Sequence, residues 1–108
     1  MDNINHWVGI GKLESDPALT ENTGKKQVHF VLMVSRRVQD ANGQWVDQLI
    51  SVPCYAFEKR AEAIAQHCSA GQEVAVEAYY RSWPLEGGQL GHGMIIQNIS
   101  FGYKPKAV

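Results

Sequence analysis

Apolar and polar residues alternate through much of this chain, and the alternation predicts strands. The clearest case is the segment Lys26–Val38, in which every second position is apolar: Val28, Phe30, Leu32 and Val34. In a pleated strand such residues share one face, and we expect that face to be buried. The same period predicts four more strands: His6–Leu13, a strand from near Trp45 to Phe57, Glu73–Trp83 and Met94–Phe101. In the second of these, the core-facing set is predicted to be Ile50, Val52, Cys54 and Ala56.

One segment follows helical spacing instead. From Glu58 to Ala70, small and apolar residues recur at i, i+3, i+4 and i+7: Ala61, Ile64, Ala65 and Cys68. This spacing gives a helix one narrow buried stripe. The remaining positions are rich in good helix formers, and Gly71 stands where a left-handed C-terminal cap is expected. The pattern predicts a helix of about three turns that lies against one end of a sheet.

Turn signals indicate how the strands connect. Asn42-Gly43 is a strong hairpin signal, and the segment Glu86–Gln89 predicts a second hairpin tip. Two hairpins and one helix between the third and fourth strands predict an all-β fold, a five-stranded Greek-key barrel of the oligonucleotide/oligosaccharide-binding (OB) type. An SH3-like barrel or a small sandwich fits the strand count, but neither predicts a helix at that point. The barrel is expected to span residues 1–103, with a short basic end at 104–108.

Composition excludes several classes of function. The chain has 108 residues, 44% of them apolar, which fits one globular domain. It has no apolar run of membrane-spanning length and no signal-peptide pattern, so we expect a cytoplasmic, nucleoid-associated protein with no membrane partner. Cys54 and Cys68 are expected to be reduced core thiols. The four histidines lack ligand spacing, and no catalytic motif is present, so we predict no metal, no cofactor and no enzymatic activity.

Basic residues are unevenly distributed along the chain. The net charge is −1, too small to hold the chain to nucleic acid by bulk electrostatics. The stretch from Asn22 to Gln39 nevertheless contains four basic residues and no acidic one: Lys25, Lys26, Arg36 and Arg37. Because Arg36 and Arg37 are adjacent in a predicted strand, they point to opposite faces.

Several segments resemble bacterial single-stranded DNA-binding proteins. INHWVGIGKLESDP, residues 4–17, is similar to the family's opening strand and its "DP" turn. FEKRAEAIAQHCSAGQEVAVEAYYRSW, residues 57–83, resembles the family's F-G-K-L-A-E…G-x-x-V-x-V-E-G-x-x-R-x-x-W. The resemblance covers almost the whole chain. It implies the OB barrel, single-stranded DNA as the partner, and a homo-oligomer, either a dimer or a tetramer.

The resemblance also implies roles for individual residues. Phe57 and Trp83 match positions whose aromatic side chains stack on bases, and Arg81 matches a position that contacts the DNA backbone. Two further stacking tryptophans of the family correspond to about Val38 and Ser51, so those two platforms are missing. The candidate stacking residues are Phe57 and Trp83, with Trp45, Tyr80 and Tyr55 as possible substitutes. The candidate phosphate-binding residues are Lys25, Lys26, Arg36, Arg37 and Arg81.

Sequence-independent binding of single-stranded DNA in replication, recombination or repair is the leading hypothesis, with aromatic stacking and phosphate contacts as its basis. The alternative is an adaptor for primosomal or replication-restart proteins whose barrel mainly docks protein partners. Three features favour the adaptor: the two missing platforms, the near-neutral charge and an end at Val108 without the family's acidic tip. The primosomal replication protein N family likewise has the barrel without that tip. RNA is a third possible ligand, because stacking does not read the 2′-hydroxyl. Trp7 and Leu13, at alternate positions of the first strand, are the predicted oligomer contacts.

Overall fold

The computed structural model of the chain describes residues 3–101. The basic end predicted at 104–108 therefore lies outside the described residues. Within them the chain forms six strands, one α-helix and a short 3₁₀ turn. In chain order these are β1 (Trp7–Leu13), β2 (Ala18–Asn22), β3 (Lys25–Gln39), β4 (Trp45–Phe57), α1 (Glu58–His67), β5 (Glu73–Pro84), the 3₁₀ turn (Glu86–Gly88) and β6 (Leu90–Phe101).

Five of these strands close into a barrel. The hydrogen-bonded order is β1-β5-β6-β4-β3, and β3 returns to β1 through the pairs Lys12–Met33 and Leu13–Leu32. All the barrel pairings are antiparallel except β4–β6, which is parallel at Cys54–Met94 and Tyr55–Ile95. α1 lies between β4 and β5, the third and fourth barrel strands. This arrangement confirms the predicted Greek-key barrel with one helix.

The short strand β2 was not predicted from the sequence. It pairs with the start of β3 from Ala18–His29 to Asn22–Lys25, outside the closed barrel. The two-residue loop consists of Thr23 and Gly24, which both have positive φ, 51° and 79°. Positive φ at both loop residues is typical of the hairpin turns that match strand twist. Leu19 is 46% exposed, so this edge strand carries no apolar stripe for a pattern to reveal.

The core is built from the alternating residues of the strands and the stripe of the helix. Phe30, Leu32, Val74 and Val76 are each at most 2% exposed. In α1, Ala61 and Ile64 are fully buried, which confirms the predicted stripe. Each fully buried side chain of the size of valine, leucine, isoleucine or phenylalanine contributes about 1.5–3 kcal/mol to folding. The small side chain of Ala61 lets the helix lie close against the end of the barrel.

The end of α1 differs from the prediction. The helix stops at His67, and Cys68 caps it through a bond from its backbone N–H to the Ile64 carbonyl, 2.9 Å. Gly71 does have a positive φ, 79°, but it lies in the following turn. There its N–H donates to the Leu13 carbonyl at 2.8 Å. Tertiary pairing with β1, which the local pattern does not encode, takes this segment out of the helix.

The β3–β4 hairpin extends well beyond the barrel. Its residues pair without interruption from Gln27–Phe57 to Gln39–Trp45, and residues 41–50 are all exposed. Ile50, predicted to be in the core, is 40% exposed because it lies on this projecting arm, whereas Val52, Cys54 and Ala56 are buried. The prediction for Ile50 was wrong because alternation continues along the strand after the barrel has ended.

The first strand presents a different apolar face from the one predicted. Leu13 is 2% exposed and Trp7 is packed against the core. Val8 and Ile10 point outward instead and are 60% and 62% exposed. The outward apolar face of β1 therefore consists of Val8 and Ile10, not of Trp7 and Leu13. Within residues 3–101, no helix has both the length and the apolar character to cross a membrane.

Candidate nucleic-acid interface

One open cavity on the barrel wall brings together several of the predicted site residues. It has a volume of about 230 Å³, and its lining comprises Gln27, Tyr55, Phe57, Arg81, Trp83 and Ile95. The ends of β3 and β4 supply Gln27 and Phe57, which are cross-strand partners. β5 supplies Arg81 and Trp83. The cavity thus joins two aromatic strand ends that are 26 positions apart in the sequence.

Strand periodicity explains why these side chains meet. Tyr55 and Phe57 are two residues apart in β4, as are Arg81 and Trp83 in β5, so each pair shares one face of its strand. Cys54 and Ala56, which alternate with the first pair, are fully buried in the core. The opposite, outward face of β4 is therefore the one that bears the aromatic rings.

The aromatic rings form a connected row. Tyr55 lies edge-on to Trp83, with ring centroids 5.2 Å apart and planes at 90°. His29 of β3, the cross-strand partner of Tyr55, has its ring centroid 4.7 Å from that of Tyr55. An edge-to-face pair such as Tyr55–Trp83 contributes about 0.5–1.5 kcal/mol beyond the area it buries. The row is consequently held in place before any ligand binds.

Phe57 stands at the mouth of the cavity, with 39% of its surface exposed. It is the last residue of β4 and the N-cap of α1, with extended backbone angles. Glu58 follows with φ 57°, so the extended backbone of β4 ends directly after Phe57. An aromatic face that is half-accessible and fixed at a strand end can stack on a flat ligand.

The five candidate phosphate contacts differ in position. Arg81 lines the cavity, is exposed, and forms no ion pair with any of residues 3–101. Lys25 is two residues before Gln27 in β3 and therefore lies on the cavity face of that strand. Lys26 points to the other face, where it is hydrogen-bonded to Glu62 of α1, and this bond raises the pKa of the Lys26 ammonium group above 10.5.

The two arginines of the hairpin arm lie far from the cavity. Arg36 and Arg37 point to opposite faces of β3. Arg37 is on the face that bears Tyr55, and its Nε lies 3.9 Å from Oδ1 of Asp47. Asp47 is eight residues from Tyr55 along β4, about 26 Å in an extended strand. Either arginine would therefore contact a different part of a long ligand from the part that enters the cavity.

Trp45 and Tyr80 do not line the cavity. Trp45 begins β4 at the tip of the arm and is 59% exposed. Tyr80 lies on the opposite face of β5 from Arg81 and Trp83, with its ring centroid 6.1 Å from that of His92. Both rings are exposed and lie outside the cavity. Tyr55 is the substitute platform that the fold does bring next to Phe57 and Trp83.

Two cavity residues were not identified from the sequence. Gln27 is the partner of Phe57 in the β3–β4 ladder, and Ile95 follows from the parallel pairing of β6 with Tyr55. The Asn42-Gly43 turn determines the hairpin register, so it was the signal that could have placed Gln27 opposite Phe57. The parallel pairing has no comparable local signal. Among residues 3–101, no group of three His, Cys, Asp or Glu side chains could hold a metal ion.

A closed five-stranded barrel with an aromatic and cationic cavity on its wall defines an OB-fold binding protein. The model of the single-strand binding protein family matches residues 4–92. The chain belongs to the single-strand binding protein family.

Individual relatives agree with this assignment. The chain is 32% identical to the single-stranded DNA-binding protein of Aquifex aeolicus over 101 residues, covering 90% of this chain and 69% of that protein. It is 30% identical to single-stranded DNA-binding protein 2 of Chlorobaculum tepidum over 92 residues, covering 82% of this chain and 62% of the relative. The chain thus spans less than two thirds of the length of the Chlorobaculum protein.

A solved structure confirms the fold. The Plasmodium falciparum SSB in complex with single-stranded DNA superposes with a TM-score of 0.77 at 16% identity, covering 94% of this chain and 96% of the other. At this identity the likeness establishes the barrel and its strand order.

Proposed function

We propose that this chain binds single-stranded DNA without sequence preference and without catalysis. The observation that carries the proposal is the cavity whose lining brings three aromatic side chains, Tyr55, Phe57 and Trp83, together with the cation Arg81. Every base has a π face and every linkage carries a charge, so such a site accepts any sequence. The names of the relatives, and the DNA held by the Plasmodium protein, support the same ligand.

The expected strength of binding follows from the number of platforms. Each stacked base contributes about 1–3 kcal/mol, so Phe57 and Trp83 with Tyr55 supply several kcal/mol per subunit. A free energy of about −8 kcal/mol corresponds to micromolar affinity. Arg81 and Lys25 add phosphate contacts, each of which makes binding weaken more steeply with salt. Tight binding then requires several subunits on one strand.

Intrinsic tryptophan fluorescence tests the proposal. Titration with oligo-dT at low salt should quench the emission, because a base stacks on Trp83, and high salt should weaken the binding. An equal-length oligo-rU competes less well if the site prefers DNA, and equally well if RNA is a ligand too. The absence of quenching and of any affinity at low salt would contradict single-strand binding.

We further propose that the protein acts as a homo-oligomer in DNA replication, recombination or repair. The outward apolar residues of β1, Val8 and Ile10, support association, because contiguous exposed apolar surface is typical of an interface. Light scattering should give a multiple of 12.0 kDa, and Ile10→Lys should shift the mass toward the monomer. A mass near 12.0 kDa for the unchanged protein would contradict the oligomer but leave single-strand binding standing.

A further inference from the structure

Two glycines of β6 underlie the aromatic row. Gly91 pairs across the sheet with Trp83, and a Cβ atom built on Gly91 would lie 2.7 Å from Cε2 of the indole. A Cβ atom on Gly93 would lie 2.5 Å from Cε2 and 2.9 Å from Cδ2 of Tyr55. Carbon atoms in van der Waals contact are about 3.5–4.0 Å apart. Each ring therefore occupies the space that any other side chain at its glycine would need.

The placement of these glycines is periodic. Gly91, Gly93 and Ile95 lie at alternate positions of β6 and share the face that lines the cavity. Glycine inside a strand normally weakens it, unless another group must approach the backbone closely. Here the approaching groups are the two rings of the cavity. The cavity face of β6 therefore has two glycines, which are followed by the buried Ile95.

We propose that Gly91 and Gly93 are positioning residues of the cavity: they let the rings of Trp83 and Tyr55 lie against the β6 backbone, so that a face of each ring stays open to a base. The inference rests on the proposed function. It adds to that function the residues that orient the stacking platforms, which are two glycines without a side chain of their own.

If Gly91 and Gly93 had a purely structural role, the expected effects of substituting them would differ. An aromatic ring over a cross-strand glycine also stabilises a sheet. If that were its whole purpose, a methyl group at Gly91 would lower the stability of the fold and leave ligand affinity alone. The two readings are distinguished by measuring both quantities on the same variants.

Gly91→Ala is the sharper of the two substitutions. The three atoms nearest to its new methyl group all belong to the Trp83 ring, whereas at Gly93 the Pro53 carbonyl oxygen also lies 3.1 Å away. We expect Gly91→Ala to weaken oligo-dT binding by roughly 5- to 150-fold, the equivalent of one lost stacked base. The slope of affinity against salt should not change, because no phosphate contact is removed.

Gly9→Ala is the matched control. In β1, the ring of Trp7 covers Gly9, and a Cβ atom there would lie 2.7 Å from Cζ2 of that ring. The lesion is the same, a displaced indole, but Trp7 does not line the cavity. Gly9→Ala should lower the Tm and leave the affinity of the folded protein for oligo-dT unchanged.

A double-mutant cycle completes the test. In a Trp83→Ala background there is no ring to displace, so adding Gly91→Ala should cause no further loss of affinity. Equal affinities of the wild type and Gly91→Ala would overturn this inference alone. An undiminished effect of Gly91→Ala in the Trp83→Ala background would overturn it as well. Failure of the unchanged protein to bind would overturn the proposed function, and this inference with it.

Discussion

Glu58 adopts a left-handed backbone conformation at the junction of β4 and α1, with φ 57°. A left-handed conformation destabilises a residue with a Cβ atom by about 1–2 kcal/mol, whereas glycine adopts it at almost no cost. The family pattern that the sequence resembles has glycine here, in F-G-K-L-A-E, where this chain reads FEKRAE. The strain lies directly beside Phe57, at the mouth of the cavity, as backbone strain often does at functional sites.

Glu58→Gly should therefore stabilise the fold. We expect the free energy of unfolding to rise by about 1 kcal/mol, measured by urea denaturation. Glu58→Gln is the control, because it removes the charge and keeps the strained backbone. A gain of equal size in Glu58→Gln would show that charge, and not φ, sets the cost.

The Cys54 thiol gives a pH-dependent prediction. Burial raises the pKa of this thiol from 9.0 to about 12. Below pH 9 both the folded and the unfolded states are protonated; between about pH 9 and 12 the unfolded thiol loses its proton first, so stability falls. Urea denaturation should show a shallower fall for Cys54→Ala than for the wild type over that range. Parallel curves would contradict the raised pKa.

At the scale of elements, β5 is held at its exit from the barrel by a side chain. The last β1–β5 pair is Trp7–Ala78. Beyond it the Asn5 amide donates to the Tyr80 carbonyl at 2.6 Å, and its oxygen accepts from the Tyr80 N–H at 2.9 Å. The side chain thus extends the ladder to the residue next to Arg81.

Asn5→Ala should loosen this part of β5. Two hydrogen bonds of about 0.5–1.5 kcal/mol each are lost, so we expect a destabilisation of about 1–3 kcal/mol and faster hydrogen exchange at the Tyr80 amide. Asn5→Asp keeps the acceptor and loses the donor. Its stability and its Tyr80 exchange rate should lie between those of the wild type and those of Asn5→Ala. An unchanged exchange rate at Tyr80 in Asn5→Ala would rule out this tether.

The strands and the helix were predictable because each carries its own period. Val28 to Leu32 repeat every second residue, and Ala61 to Cys68 follow a helical stripe. The edge strand β2, the end of α1 at His67 and the exposure of Ile50 were not predictable. They depend on pairing partners and on where the barrel stops, which no local pattern records.

The same division applies to the site. Phe57, Arg81 and Trp83 were predicted through the family resemblance, and the fold places them around one cavity. That Tyr55 joins them, while Trp45 and Tyr80 lie elsewhere, depends on hairpin length and strand face. Alternation alone excludes Tyr80 once the face of Trp83 is known, because the two residues are three positions apart in a stretch of β5 that pairs with β6 without interruption.

At the scale of the whole molecule, the charge is nearly balanced at −1. Under the proposed function, attraction to DNA must then come from local cations such as Arg81. We expect Arg81→Gln to reduce the slope of log K against log salt by about 0.7, measured in titrations with oligo-dT at several salt concentrations. Lys26→Gln is the control, since Lys26 is paired with Glu62 on another face, and should leave the slope unchanged. Equal effects of the two variants would contradict a local phosphate contact at Arg81.

Photochemical crosslinking of the protein to oligo-dT, followed by mass spectrometry of the crosslinked peptides, tests most directly that the cavity is the binding site. Ultraviolet light joins thymine to aromatic side chains stacked on it. Crosslinks should fall on Tyr55, Phe57 or Trp83, and Trp83→Ala should remove those at position 83. Crosslinks confined to the outward face of β1 or to Tyr80, with none in the cavity, would contradict the assignment.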